Sequence, residues 1–262
     1  MSGVALRARP IAMALAPLTL WVLASCGGSS GGSAVEPTAA PQPLLVCSDI
    51  PYEPFEFSDQ GQLVGFDVDL VDAVADRLGR TATFVPTPLD QFTTALDAGT
   101  CELVASALPI PDPTSTTLLF SDPYLDVAPV LLVRAGDAQR LPTTAATGGT
   151  TVGVVTDSPS ADFAAANLLA DAVVRPFATA DDAVAALAAG EVDAVVTDAP
   201  IAEHAELSDP SLVVTEHGPT TTRYGLATNP ARAALLDQVN AALGEIRGDG
   251  TYETLTRTWF GS

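Results

Sequence analysis

Carboxylates and aromatic side chains lie directly after two stretches of this chain that have the character of buried strands. The apolar run 44–47 passes into Ser48 and Asp49, and the proline-punctuated loop 50–55 that follows carries Tyr52 and Glu53. A second apolar run ends at Asp198. Polar and aromatic groups that converge at strand ends are typical of a small-molecule site. Carboxylates beside aromatic faces favour a cationic ligand, through charge pairing and cation–π attraction.

The sequence offers little that could carry catalysis. It has two histidines, His204 and His217, and neither has Cys, His, Asp or Glu neighbours at the spacing of metal ligands. It contains no GxSxG motif, no P-loop and no dinucleotide-binding fingerprint. We therefore expect a binding protein that is not an enzyme and that needs no metal and no cofactor.

The elements around Asp49 and Tyr52 form a strand, a loop and a helix. After the loop, residues 57–66 predict a hairpin with its turn at 59–61. Asp67 is a good N-cap for a helix whose apolar residues recur at i, i+3, i+4 and i+7, and Gly79 ends that helix. This pattern predicts a ligand-facing loop carried by an α/β unit.

An internal repeat indicates two such units. Residues 89–106 match residues 181–197, and each copy reads as a short helix, a glycine stop and a buried strand ending in a polar residue. The opening strand 45–49 has its counterpart at 152–157. Two similar assemblies predict two lobes whose strands point their carboxyl ends at a shared cleft. The alternative is that alanine-rich α/β sequences resemble one another by chance.

The N-terminal residues read as a targeting signal. Arg7 and Arg9 precede an apolar segment, 11–23, that is short for a membrane span, and the following residues 23–26 resemble a bacterial lipobox. We expect residues 1–26 to be a lipoprotein signal peptide and Cys26 to be lipidated. The alternative is an ordinary secretory signal with an incidental cysteine. Residues 27–42, rich in Gly, Ser, Pro and Ala, predict a flexible tether.

Composition excludes some classes of partner. Hydrophobic residues make up 47% of the 262, which is enough for a core, and the formal charge is −21 with every positive charge from arginine. A chain this acidic has no electrostatic footprint for nucleic acid and is repelled by anionic lipid. We expect contact with the membrane through the lipid anchor only.

Two further cysteines, Cys47 and Cys101, lie at or beside predicted neighbouring strands of the first lobe. The compartment outside the cytoplasm permits a disulfide. Their depths along the two strands can differ by several residues, so both the bridged and the unbridged states stay open.

Several motifs resemble one protein family in their order and spacing. These are DIPYEPFEF followed by GFDVDLVDAVADRLG, then LLFSDPYLDVAPVLLV (118–133), GEVDAVVTDAP (190–200) and the segment 224–261. They resemble the extracellular solute-binding proteins, family 3, that serve amino-acid ABC transporters. The resemblance implies an α/β, type II, Venus-flytrap fold: lobe 1 at 43–130 plus 225–262, lobe 2 at 134–220, and crossing hinge strands at 130–133 and 222–224.

The resemblance also implies a function. The protein would close its lobes around an amino acid or a related small polar or cationic amine and deliver it to an ABC permease with its ATPase. It would act as a monomer anchored by lipid to the outer face of the bacterial cell membrane. Two alternatives are a sensing protein that is not coupled to transport and a dehydratase-like enzyme on the same fold.

Matching positions imply a ligand site, in which the acid at Asp198 would hold an α-ammonium group. The implied ligand-binding residues are Asp49, Tyr52, Leu89, Ser106, Thr114, Ser158 and Asp198. Carboxylates and aromatics expected near the pocket are Asp49, Glu53, Asp157, Asp198, Tyr52, Phe92 and Tyr124.

The site departs from its family where the ligand carboxylate would bind. Thr114 stands where relatives carry an arginine that clamps the carboxylate with two hydrogen bonds. Losing such charge-assisted bonds costs roughly 1.5–3 kcal/mol each, against a micromolar affinity of about 8 kcal/mol. Either Arg223 or Arg134 substitutes for the clamp, with Arg223 favoured, or the ligand lacks a free carboxylate there.

Overall fold

A computed structural model describes residues 42–111, 117–156, 158–220 and 222–261, all within one compact unit, residues 40–262. The predicted signal peptide, the lipidated Cys26 and nearly all of the tether lie outside these residues. The strands, in chain order, are β1 (Leu44–Ser48), β2 (Phe57–Asp59), β3 (Gln62–Val64), β4 (Ala82–Pro86), β5 (Leu103–Val104), β6 (Leu119–Phe120), β7 (Leu125–Val127), β8 (Pro129–Arg134), β9 (Thr151–Val155), β10 (Val173–Phe177), β11 (Ala194–Asp198), β12 (Leu212–His217), β13 (Thr222–Tyr224) and β14 (Ala227–Thr228). The helices are α1 (Phe66–Arg77), α2 (Phe92–Ala98), α3 (Pro159–Asn167), α4 (Ala180–Ala188), α5 (Ala199–Ser208), α6 (Ala233–Gly248) and α7 (Thr251–Phe260).

Two five-stranded sheets organise the described chain. The first has the order β4-β1-β5-β14-β6, with β1 parallel to both β4 and β5. The second has the order β10-β9-β11-β8-β12, with β9 parallel to both β10 and β11. The two copies of the internal repeat, α2–β5 and α4–β11, place their strands beside the opening strands β1 and β9. Equivalent positions in the two sheets support the interpretation that the halves are similar units.

The chain passes between the sheets twice, beside a short strand pair. It leaves the first sheet after β6, runs through β7 into β8, and returns from β12 through β13 into β14; β7 and β13 pair with each other, antiparallel. Residues 222–224, expected as one crossing strand, form β13. Residues 130–133, expected as the other, lie instead inside β8, a central strand of the second sheet. All four are fully buried, and a short apolar run does not reveal from sequence whether a strand crosses between lobes or fills one of them.

Helix α1 follows a close approach of two backbone segments. Its N-cap is Gly65 at φ 142°, where an added Cβ would lie 2.0 Å from the carbonyl oxygen of Phe55. Asp67, expected as the N-cap, lies inside the helix and is fully buried. The helix ends at Arg77 with Leu78 as its C-cap, directly before Gly79 as the sequence predicts.

The first lobe has an aromatic core. Phe55, Phe66 and Phe260 are buried. The ring centroids of Phe66 and Phe260 lie 4.8 Å apart, and those of Phe55 and Phe260 lie 6.1 Å apart. Helices α6 and α7 pack on α1, so the C-terminal segment completes this lobe. On the other face of the sheet, Cys47 and Cys101 form a buried disulfide with Cα atoms 5.6 Å apart. In the described part of the chain, no helix combines the length and the apolar character that crossing a bilayer requires.

Candidate functional site

A cavity of about 270 Å³ lies where the loop after β1 faces the strand ends of the second sheet. Pro51 and Tyr52 form the wall from the first lobe. The second lobe supplies the ends of β9 and β11 and the first turns of α3, α4 and α5. Its lining residues there are Val155, Ser158, Ser160, Ala178, Thr179, Ala180, Asp181, Thr197, Asp198 and Ile201. The cavity therefore lies at the shared edge that the repeat predicts.

Asp198 is one of the two acids in the described lining of this cavity. It is the last residue of β11 and precedes α5, so its carboxylate points out of the strand end. The Ser160 hydroxyl donates to Asp198 Oδ1, and the Tyr224 hydroxyl donates to Oδ2 at 3.0 Å. Burial raises the pKa of Asp198, and the hydrogen bonds from Ser160 and Tyr224 oppose that rise. Among the described residues no arginine or histidine forms an ion pair with Asp198.

Tyr52 brings the first lobe to the same place. Its loop is closed by backbone hydrogen bonds, from Tyr52 N to Glu56 O at 2.7 Å and from Phe55 N to Tyr52 O at 2.8 Å. Its hydroxyl hydrogen-bonds with that of Tyr224, and burial together with the charge of Asp198 raises the pKa of Tyr52. Tyr52, Tyr224, Asp198 and Ser160 thus form one hydrogen-bonded chain from the first lobe to the second.

Ser158 and Ser160 have different roles. Ser158 is the N-cap of α3: its Oγ accepts the amide of Ala161 at 3.1 Å and donates to the carbonyl of Val155 at 2.9 Å. Ser158 lines the cavity, but its hydroxyl proton is already used. Ser160 serves Asp198 as described above, a role that strand and helix patterns in the sequence did not indicate.

Three of the expected ligand residues form a separate cluster. Asp49 Oδ2 accepts the amide of Leu89 at 3.2 Å, and the amide of Asp49 donates to Ser106 Oγ at 3.1 Å. Asp49 is exposed and Leu89 is 57% exposed, whereas Ser106 is buried. None of the three belongs to the cavity lining. The structure therefore brings together Tyr52, Ser158 and Asp198, and places Asp49, Leu89 and Ser106 beside them in the first lobe.

A buried pair of carboxylates lies behind this cluster, and sequence analysis missed it as a pair. Glu56 and Asp67 are both completely buried, and the Ser106 hydroxyl donates to Glu56 Oε1. Asp67 Oδ2 accepts the amide of Ala107 at 2.7 Å and the Tyr124 hydroxyl at 2.9 Å. Burial, followed by the charge of Asp67, raises the pKa of Glu56 to about 10, and burial raises that of Asp67 to about 7. Phenylalanine precedes each acid, and this was the only sequence signal that either faces inward.

Other expected positions fall away from the cavity. Phe92 packs in the core beside the disulfide, and Tyr124 is buried against Asp67. Thr114 and Asp157 lie outside the described residues. Arg134 bonds to Asp137 and to the carbonyls of Leu187 and Val192 in the second lobe, whereas Arg223 is exposed.

Neither arginine lines the cavity. In its described lining there is no basic side chain at all, so the structure supplies no replacement for the missing clamp there.

A second cavity, of about 280 Å³, lies beyond Ile201 and Asp181, which line both. At its wall His204 of α5 faces the first lobe, with Nε2 3.1 Å from Glu53 Oε1 and Nδ1 2.9 Å from the Trp259 carbonyl. The sequence did not indicate these contacts, because the partners of His204 come from distant parts of the chain. The described residues contain no group of three or more His, Cys, Asp or Glu side chains arranged to hold a metal ion.

Comparison with known proteins places this architecture in one family. Residues 44–262 match the model for bacterial extracellular solute-binding proteins, family 3. A probable histidine-binding protein of Neisseria gonorrhoeae is 31% identical over 95% of this chain and 94% of its own length.

Solved structures share the two-lobe fold. An ancestral cationic amino acid solute-binding protein is 33% identical, with a TM-score of 0.76 over 83% of this chain and 95% of its own. An ancestral amino acid-binding protein described as a precursor of cyclohexadienyl dehydratase is also 33% identical, with a TM-score of 0.68 over the same shares. These findings confirm the predicted type II fold and family resemblance: the chain belongs to the bacterial extracellular solute-binding proteins, family 3.

Proposed function

We propose that this protein binds an amino acid or a related cationic amine outside the cytoplasm and delivers it to an ABC permease. The supporting observation is the cavity itself. It has Tyr52 on the wall from the first lobe and Asp198 on the wall from the second, and its charged lining residues are the acids Asp181 and Asp198. A cationic amine or α-ammonium group fits this charge, and the aromatic ring suits it too.

Ligand binding would favour closure of the two lobes. A ligand that first contacts one lobe gains the second set of contacts only when the lobes close. β7 and β13 are the segments about which that motion would occur, because the chain crosses between the sheets there.

A carboxylate on the ligand would meet weaker hydrogen-bond donors here than the arginine clamp of the relatives. Without a basic lining residue, the groups available include Thr179 and the first amides of α4 at Ala180 and Asp181, since the amides of a helix's first turn have no partner within the helix. Asp181 adds a negative charge at the same place. We therefore propose that amines and basic amino acids bind better than acidic ones.

We further propose that Cys26 carries a lipid that holds the monomeric protein at the outer face of the membrane, near the permease and its ATPase. Mass spectrometry of the membrane fraction tests the anchor. The expected species begins at Cys26 with added acyl mass, and a soluble product cut elsewhere would contradict it.

A thermal-shift panel tests the proposed ligand class. The chain that follows the lipidated cysteine, residues 27–262, is heated with the standard amino acids, polyamines and quaternary ammonium compounds. A ligand at one hundred times its Kd stabilises the folded state by about 2.7 kcal/mol. We expect stabilisation by basic amino acids or amines, and its loss in Asp198→Asn.

The matched control is Asp162→Asn, which removes an exposed acid from α3 outside the cavity lining and should leave the response unchanged. Stabilisation by acidic amino acids alone would contradict the proposal. A flat panel would contradict the proposed ligand class. Consumption of a stabilising compound, followed by chromatography, would favour the dehydratase-like alternative.

A further inference from the structure

In the proposed function, on which this proposal rests, Asp198 is the carboxylate that faces the ligand's ammonium group. We propose that Tyr224 and Ser160 are positioning residues that hold Asp198 oriented and ionised for the ligand's ammonium group, Tyr224 doing so from the crossing strand without itself lining the cavity.

The geometry shows two donors for one carboxylate. Ser160, on α3 of the second lobe, donates to Oδ1, and Tyr224, on β13, donates to Oδ2 at 3.0 Å. One hydroxyl on each oxygen fixes the plane of the carboxylate. Both donors are buried, Ser160 to 2% exposure and Tyr224 to 3%.

The electrostatic need for these donors comes from the surroundings of Asp198. The titratable groups that face it are Tyr52 from the loop after β1, Tyr224 from β13 and Asp181 from α4, which lines the same cavity. None of these carries a positive charge. A buried carboxylate without a cation favours its protonated form, in which it cannot pair with an ammonium group. Hydrogen bonds from hydroxyls to the ionised form oppose this, and here they are the neutral substitute for a counter-ion.

Tyr224 is held firmly enough to serve this purpose. Its carbonyl accepts the amide of Tyr124 at 2.8 Å, and its ring meets that of Phe55 edge-on with centroids 5.6 Å apart. These contacts use the backbone and the ring, so Tyr224→Phe removes the hydroxyl while preserving them. The chain passes between the two sheets at β13, which contains Tyr224. The hydrogen bond from Tyr224 therefore links the carboxylate of Asp198 directly to this crossing segment.

The first test follows Asp198 in the ligand-free protein. Its side-chain ¹³C signal is identified by its loss in Asp198→Asn and is titrated in the wild type, Tyr224→Phe and Ser160→Ala. A hydrogen bond to an ionised group is strong enough that losing one should move the titration midpoint upward by about one pH unit. Tyr252→Phe is the matched control. It also removes a tyrosine hydroxyl, but one that donates to the Tyr124 carbonyl at 2.6 Å and not to Asp198, so it should leave the midpoint unchanged. Midpoints that stay the same in both test variants would overturn the inference.

The second test measures affinity against pH by calorimetry, using the amine or amino acid with the largest thermal shift in the wild type. Affinity should fall about tenfold for each pH unit below the midpoint of Asp198, and this fall should begin at higher pH in Tyr224→Phe and Ser160→Ala. A purely structural role would weaken binding equally at every pH, and that result would overturn the inference. A wild type that binds nothing in the panel would count against the proposed function, whereas the titration in the ligand-free protein would still decide the state of Asp198.

Discussion

Replacing Glu56 by glutamine should stabilise the protein at neutral pH. Glu56 is fully buried, and its Oε2 atom and Asp67 Oδ1 have no hydrogen-bond partner among the described residues. Burial, then the charge of Asp67, raises its pKa to about 10 from an ordinary 4.5. At pH 7 the folded protein therefore keeps a proton on Glu56 that the unfolded chain releases.

Proton linkage gives the direction and the size of the change in the free energy of unfolding. A carboxyl group whose folded-state pKa is raised costs nothing below its unfolded pKa, and the cost grows as pH rises towards the folded pKa. From pH 4.5 to pH 7, at about 1.4 kcal/mol per pH unit, the free energy of unfolding falls by about 3 kcal/mol because of this one group. Glutamine has no proton to lose, so this pH-dependent cost disappears. Glu56→Gln should therefore be more stable than wild type by up to about 3 kcal/mol at pH 7, and equally stable near pH 4.

Urea unfolding followed by circular dichroism, repeated from pH 4 to pH 8.5, measures the difference. Glu245→Gln is the control: it changes a glutamate with a 68% exposed side chain whose contact with Arg77 is 3.9 Å, so it should alter stability by less than about 1 kcal/mol at any pH. A Glu56→Gln variant that is less stable than wild type by a constant amount would refute the reasoning, since it would mean that Glu56 is a paired anion.

Two further variants test the backbone and the cross-link. Gly65→Ala places a Cβ 2.0 Å from the Phe55 carbonyl oxygen and should lower the free energy of unfolding by more than about 3 kcal/mol, whereas Gly61→Ala, with nothing within 4 Å, should cost about 1 kcal/mol. Equal losses in urea unfolding would contradict the close approach. Replacing Cys47 and Cys101 together by alanine opens a loop of 54 residues and should lower stability by about 4 kcal/mol, with mass spectrometry of the unreduced wild type showing both thiols absent. Free thiols in the wild type would contradict the bridge.

The sequence by itself determined the class of this protein. Apolar runs of strand length, the amphipathic helix ended by Gly79 and the repeat at 89–106 and 181–197 were enough to predict paired α/β units with a shared edge. The runs, the helix and each copy of the repeat depend on neighbours within a few residues, and so they are readable from the sequence alone. The position of Asp198 at a strand end was readable in the same way, whereas its role toward an α-ammonium group was implied by the family resemblance and stays a prediction.

Only the tertiary structure decided which polar groups meet. Tyr224 lies 26 residues from Asp198 and 172 from Tyr52, Ser106 lies 50 from Glu56, and Glu53 lies 151 from His204. Such partners depend on how the sheets face each other, which local patterns do not encode. The same reason explains the misplaced crossing strand at 130–133. A fully buried apolar run has the same sequence pattern whether it crosses between lobes or lies inside one sheet. The strands that fix its position, β11 and β12, lie more than 60 residues further along the chain.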